Sequence, residues 1–430
     1  MCPRGCDNGR KMTTLSEQEI VTRRIPRVAL WVASTIGILL LAFLGLAKLG
    51  FFTTVLFGAA TFSVWRLGDG LSWGHQAGLF ALAFVWAALV LGIPFASENI
   101  ASELGRTLWL WFAYLGVGVT VLLFTLLLIK DAALLAYSMF HRLVTGSQFD
   151  EKRRQFLGLG LNAGVAATTA VAASWGVYSA RRLPDIVEVD LPISGLPESL
   201  EEFRIVQLSD LHVGPTIHRS MVQGIADRIE ELDADLIAIT GDLVQTWVDV
   251  AKPHLEPILD LGAPYGVYFV TGNHEYNWDV LHLCELLSER GIKVLHNEHE
   301  IVEVGGGRLL VAGCTDYASG HRIDGHKSSP GAAIKDAEDF DVSVLLAHQP
   351  DSIDEAVIAD YDVQLCGHTH GGQFWPLTFL IGGFHEFSRG LHRIEDTWLY
   401  VSRGAGYAGP PMRIGAPPEL TVLRLTSANK

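Results

Sequence analysis

Five short clusters hold the side chains of this 430-residue chain whose types and spacing could do chemistry: Ser209-Asp210-Leu211-His212, Gly241-Asp242, Gly272-Asn273-His274-Glu275, Ala347-His348 and Gly367-His368-Thr369-His370. Each closes a short apolar run and is therefore expected in the loop where a buried strand ends. Asp210, His212, Asp242, Asn273, His348, His368 and His370 offer oxygen and nitrogen ligands, with His274 left over. In Asp210-Leu211-His212, an extended backbone projects residues i and i+2 to one side, so a carboxylate and an imidazole can grip one ion. Gly241 lets the chain turn tightly into Asp242, whose two oxygens can bridge cations about 3.5–4 Å apart. Asn273 offers a neutral amide oxygen to the second ion. His348, His368 and His370 complete the shells. Oxygen and imidazole without thiolate suit manganese, iron, zinc or a mixed pair; an all-oxygen calcium or magnesium cage would not need four imidazoles. Any one cluster alone is a weak signal, because a turn with a satisfied histidine explains it equally well. All five, in order and at strand ends, point to a dinuclear metal centre.

The elements that must position them begin at Phe203. Apolar runs at Phe203–Leu208, Leu236–Thr240, Val267–Thr271, Leu309–Gly313, Val342–Ala347 and Val363–Cys366 read as strands buried on both faces. Helix-period segments lie near Ser220–Leu232, Pro253–Leu261, Asp279–Arg290 and Ile353–Ala359, and Trp398–Val401 and Leu420–Leu425 are further strands. Early βα alternation followed by strand-rich sequence predicts an α/β domain over residues 183–430, with two packed mixed sheets and helices outside.

The first 182 residues are different in kind. They carry a net charge of +7, the remainder −22, and fourteen of the 16 histidines lie in the later part. No basic stripe is available to neutralise a nucleic-acid backbone. Val28–Ala47, Gln76–Phe95 and Thr107–Ile129 are apolar over the roughly 20 residues that a membrane crossing takes. Phe51–Trp65 is a shorter fourth candidate and Leu157–Val177 an Ala/Gly-rich fifth. The expected plan is a polar cytoplasmic tail (1–27), about four spans (28–130), a cytoplasmic linker (131–156), a fifth span (157–179) and the α/β domain.

Basic flanks at Lys11, Arg23, Arg24 and Arg27, and again at Lys130, Arg142, Lys152, Arg153 and Arg154, belong in the cytoplasm. A fifth crossing then places the α/β domain outside it, with Arg181 and Arg182 running against the bias. Arg153-Arg154-Gln155-Phe156-Leu157 looks like a twin-arginine export signal; an ordinary basic helix flank is the alternative. Cys2 and Cys6 read as incidental, and Cys284, Cys314 and Cys366 as buried structural thiols.

The Leu208-Ser209-Asp210-Leu211-His212-Val213-Gly214 and Gly367-His368-Thr369-His370-Gly371-Gly372-Gln373 runs, with the other clusters, resemble the calcineurin-like metallophosphoesterase superfamily, and within it the membrane-anchored bacterial phosphodiesterase branch. The helical first half is similar to the architecture called transmembrane protein with metallophosphoesterase domain. The resemblance implies the αββα fold and a phosphoester hydrolase. Asp210, His212, Asp242 and His370 would hold one divalent ion, and Asp242, Asn273, His348 and His368 the other. His274 would face the scissile phosphate rather than ligate. The expected chemistry is in-line attack by a metal-bound hydroxide, with His274 stabilising equatorial oxygens or protonating the leaving alkoxide. Glu275 and Asp316 are assigned to supporting hydrogen bonds or to solvent. Arg389, Arg403 and Arg413 are candidates for a phosphate clamp, with a scaffold role as the alternative.

The apolar segment Phe374–Ile381, directly after the last cluster, reads either as a loop dipping towards the bilayer or as one more core strand. The expected partners are membrane lipids and a phosphoester substrate, including lipid-linked ones. By resemblance, cleavage of the pyrophosphate of UDP-2,3-diacylglucosamine is a second reading. A transporter or sensor is a third, disfavoured because the windows offer few ionisable residues and His75, Arg66 and Asp69 are expected in a loop.

Overall fold

The computed structural model describes residues 50–100, 102–145 and 151–428. The expected tail 1–27 and the expected span Val28–Ala47 lie outside the described residues. Five helices come first: α1 (Gly50–Gly68), α2 (Trp73–Leu91), α3 (Ile93–Asn99), α4 (Glu103–Thr145) and α5 (Glu151–Arg181). Three described segments are long and apolar enough to cross a membrane, Trp73–Leu91, Glu103–Thr145 and Leu157–Arg181. The Phe51–Trp65 candidate is helical, within α1, but is not among those three. The linker expected at 131–156 is not a separate element. Its first residues continue the 43-residue α4, and its last, from residue 151, open α5. No proline or glycine pair interrupts α4 at residue 130, so the helix has no reason to stop there.

Internal contacts divide the chain into two units, one of Lys130–Ala163 with the residues up to Ala87, the other of Ala88–Ile129 with Gly164 onward. In the first, Arg66 and His75 prove to lie in helices rather than in a loop, in the last turn of α1 and the first turn of α2. The Arg66 guanidinium forks onto Asp131, with Nε and Nη2 at 2.6 and 2.5 Å from its two oxygens. Lys130 Nζ donates to Asn162 Oδ1 at 2.6 Å, and Asn162 Nδ2 donates to the Arg66 carbonyl at 2.8 Å. Arg66, Lys130, Asp131 and Asn162 are thus paired among themselves, as an apolar environment favours.

In the second unit, α3, the first part of α4 and the end of α5 lead into the αββα domain. Its twelve strands form two six-stranded sheets. The first sheet contains β1 (Asp185–Ile193), β12 (Glu419–Ser427), β2 (Arg204–Leu208), β3 (Leu236–Ile239), β4 (Val267–Phe269) and β5 (Lys293–Val294), in that spatial order. The second contains β10 (Gly390–Ile394), β11 (Thr397–Val401), β9 (Val363–Cys366), β8 (Val342–Leu346), β7 (Gly307–Gly313) and β6 (Glu298–Val304). β2, β3, β4 and β5 run parallel, as do β7, β8, β9 and β11.

Parallel strands need both faces covered, and three apolar layers do this. Ile205, Leu236 and Tyr268 of the first sheet meet Leu309, Val344 and Leu365 of the second in the central layer. Helices α6 (Arg219–Glu230), α7 (Val248–Leu259) and α8 (Val280–Glu289) cover the first sheet's outer face through Ile225, Leu255 and Leu283. Ala333 of α9 (Pro330–Ala333) and Ile353 of α10 (Ile353–Ile358) cover the second. The four unforeseen strands, β1, β5, β6 and β10, all lie at or next to sheet edges.

Candidate metal centre

The register of the parallel strands brings the five clusters to one end of the two sheets. Leu208 pairs with Ile239, and the pairing runs on past both strands: Asp210 N–H donates to the Gly241 carbonyl at 3.0 Å and His212 N–H to the Asp242 carbonyl at 3.0 Å. In the second sheet Leu346 pairs with Leu365, and Gly367 N–H donates to the His348 carbonyl at 2.9 Å. Two bonds then tie the sheets together at the site. His348 Nδ1 donates to the Thr240 carbonyl at 2.8 Å, and His368 N–H reaches Asp210 Oδ2 at 3.0 Å.

Backbone strain is concentrated here. Asp210, His212, Asp242, His368 and His370 all hold positive φ, between 50° and 68°. For a non-glycine residue that conformation costs on the order of 1 kcal/mol. It is sustained because neighbouring loops leave no alternative. At Gly241 (φ 88°) a Cβ would lie 2.7 Å from both Gly272 N and His348 Nδ1, so only glycine fits.

All seven expected ligands converge. Three overlapping groups have ligand atoms within 4.8 Å of one another: Asp210, His212 and His370; His212, Asp242 and His274; Asp242, His348 and His368. His370 Nε2 lies 3.4 Å from Asp210 Oδ1 and 3.0 Å from His212 Nε2. His348 Nε2 lies 3.3 Å from Asp242 Oδ2, 3.2 Å from Asn273 Oδ1 and 3.3 Å from His368 Nδ1. Asp242 and His212 each belong to two of the groups, and Asp242 Oδ2 lies between His212 Nε2 at 3.7 Å and His348 Nε2 at 3.3 Å.

The donor chemistry fits a pair of cations. Burial pushes the His368 imidazole down to about 3 and those of His212 and His370 well below their usual value, so these rings carry free lone pairs at neutral pH. His348 differs: its Nδ1 donates to the Thr240 carbonyl, and although burial opposes protonation, Asp242 beside it raises the imidazole well above its usual value, so a cation must displace the Nε2 proton to be held there. Burial opposes ionisation of Asp242, but His348 and His274 beside it hold the carboxyl well below the usual range. His274 differs from the others. Its side chain is 25% exposed, whereas those of His212, His348 and His370 are at most 7% exposed, and its Nε2 lies 4.0 Å from Asp242 Oδ2.

The supporting residues are more specific than the sequence indicated. Glu275 is fully buried and accepts N–H bonds from Asp242, Leu243, Val244 and Gly272. Asp316 is also buried; it accepts from Ser319 N–H and from Gln349 Nε2, the residue after His348. Of the three arginines offered as a phosphate clamp, two are scaffold. Arg403 pairs with Glu419. Arg413, only 1% exposed, donates to the carbonyls of Gly406, His370, Ala416 and Gly404, and its Nη2 lies 2.8 Å from His370 Nδ1. Arg389 is exposed and donates to the Gly415 carbonyl. Ser209 Oγ, which donates to Asp210 Oδ2 at 2.6 Å, was missed. So was the Thr240 carbonyl, a main-chain group for which residue type gives no signal.

A double-sheet αββα domain with a carboxylate–imidazole centre at its strand ends is the architecture of a metallophosphoesterase. Residues 203–372 match the calcineurin-like phosphoesterase family. The chain is 40% identical over 268 residues to "Transmembrane protein with metallophosphoesterase domain" of Danio rerio, covering 60% of this chain and 61% of that one. It is 34% identical over 276 residues to the protein of the same name in Bos taurus, again 60% and 61%. It is 30% identical over 292 residues to "Uncharacterized metallophosphoesterase YkuE" of Bacillus subtilis, 64% of this chain and 98% of that one. The chain belongs to the calcineurin-like metallophosphoesterase family. It spans about three-fifths of the length of the zebrafish and bovine relatives it matches.

Proposed function

We propose that this protein is a membrane-anchored, metal-dependent phosphodiesterase whose catalytic domain lies outside the cytoplasm. The observation that supports the reading is the chain of three overlapping ligand groups, linked through His212 and Asp242, which brings more donor side chains together than one cation takes. Asp210, His212, Asp242 and His370 would hold one cation, and Asp242, Asn273, His348 and His368 the other. When bound, such a pair supplies positive charge to phosphate oxygens and lowers the pKa of water.

The chain's own groups do the rest. The buried carboxylates and imidazoles would fix the distance between the two positions. His274, whose side chain is partly exposed, would meet the equatorial oxygens of the phosphoester or the departing alkoxide; its backbone N–H donates to Asp242 Oδ1 at 2.8 Å, which fixes its backbone. Manganese, iron and zinc all suit this donor set.

The orientation rests on the basic flanks of the helices and on counting α1 as a crossing beside Val28–Ala47 and the three apolar helices. The two residues that ran against it, Arg181 and Arg182, are taken up by the Thr216 carbonyl and by Asp185. The full-length protein, purified with manganese, iron or zinc, is expected to turn over bis(p-nitrophenyl) phosphate and to lose that activity on chelation. No turnover with any of the three metals would refute the reading.

A further inference from the structure

The apolar segment after the last cluster is neither a core strand nor a plain loop. Phe374 and Trp375 join Met412 and Ile414 in an apolar cluster with Leu115, Val119 and Leu122 of α4 and Ala172, Ala173 and Val177 of α5. Beyond this root the chain forms α11 (Leu377–Leu380) and a further turn at Ile381–Gly383. There Phe379, Leu380 and Phe384 are 77%, 54% and 80% exposed. The strap then returns to the metal centre: the His385 ring stands edge-on to that of His368 at 5.2 Å, and the Ser388 carbonyl accepts from Thr369 Oγ1 at 2.6 Å.

Depth is set by the helices. Arg413 N–H donates to the Gly176 carbonyl of α5 at 2.9 Å, while its side chain holds His370. Trp175 and Tyr178, on either side of Gly176, are 61% and 62% exposed, the placement of aromatic residues at a membrane–water boundary. One residue therefore connects a candidate ligand to the headgroup level. Three large apolar side chains in a short strap are costly in water and favourable just below the headgroups.

We propose that Phe379, Leu380 and Phe384 insert into the bilayer surface and that the phosphoester hydrolysed is carried by a membrane lipid, entering sideways along the strap. This rests on the phosphodiesterase reading and narrows its substrate. In the reaction a water oxygen adds to phosphorus, the P–O bond to the leaving alcohol breaks, and the water proton ends on that alkoxide.

The test uses the full chain in phosphatidylcholine nanodiscs doped with a fluorogenic phosphatidyl diester, with bis(p-nitrophenyl) phosphate as the soluble comparison. The triple variant F379S/L380S/F384S is expected to keep soluble turnover and lose lipid turnover by at least about tenfold. Equal loss on both substrates, no loss on the lipid, or a wild type that cleaves only the soluble diester would overturn the inference. Failure of the wild type on both would refute the phosphodiesterase reading instead. A spin label at Phe379→Cys, with Cys2 and Cys6 changed to serine, reads position without activity. Collision with oxygen above that with an aqueous nickel chelate is expected, and the reverse overturns insertion.

Discussion

Glu275 sits behind Asp242 and holds it from the main chain. Its Oε2 accepts the N–H of Asp242 at 3.0 Å and of Gly272 at 2.7 Å, while Oε1 accepts those of Leu243 and Val244 at 2.7 and 3.2 Å. One buried carboxylate thus closes two loops that the sequence separates. Replacing it leaves buried donors without partners, each costing about 1–3 kcal/mol. Glu275→Ala is expected to lower the urea midpoint sharply and to reduce bound metal with it. Glu275→Gln, which turns an amide NH₂ towards N–H donors, should rescue only part. Wild-type midpoints for both would show that the clamp contributes nothing.

His274 is expected to act on substrate rather than hold metal. His274→Ala should lower kcat by about 10²–10⁴ while metal content, measured by elemental analysis, stays that of the wild type. Loss of metal in this variant would instead make it a ligand.

Asp242 and His348 should separate by stoichiometry. Asp242→Ala removes a group shared by both positions and is expected to abolish tight binding of both cations. His348→Ala should spare the position built by Asp210, His212 and His370. Titration with manganese under anaerobic buffer exchange measures both, and identical losses would contradict a bridging role for Asp242.

Acid stability should depend on His296. Burial, and the His326 ring 4.7 Å away, push this imidazole down to about 4, against about 6.5 in an unfolded chain. Between those values the unfolded state binds the extra proton, so stability rises with pH and is lost as pH falls through that window. His296→Leu is expected to flatten the dependence of Tm on pH between about 6.5 and 4. An unchanged slope would assign the acid loss to other groups.

What the sequence disclosed follows from burial. β2, β3, β4, β7, β8 and β9 are covered on both faces, so each is mostly apolar apart from such buried polar residues as Gln207, Ser343 and Gln364, and the five clusters at the ends of β2, β3, β4, β8 and β9 stood out against them. β1 and β6 went unnoticed because each has one solvated face: Asp185-Ile186-Val187-Glu188-Val189 and Glu298-His299-Glu300 interleave charge with apolar residues. The Arg66–Asp131 pair joins residues 65 apart in sequence and has no local signature. The ligand side chains were legible from type and spacing. The Thr240 carbonyl, the Glu275 clamp and the buried Arg413 were not, because main-chain acceptors and the direction of a long side chain are decided only by packing.

The contact of Arg413 with Gly176 has a practical consequence for anyone preparing this protein. Cutting the chain at residue 182 to obtain a water-soluble fragment would strip Phe374, Met412 and Ile414 of their greasy cover and loosen the loop whose guanidinium steadies His370. Such a fragment is expected to be sticky and poorly loaded with metal, and detergent or nanodisc preparations of the intact polypeptide to be the competent form.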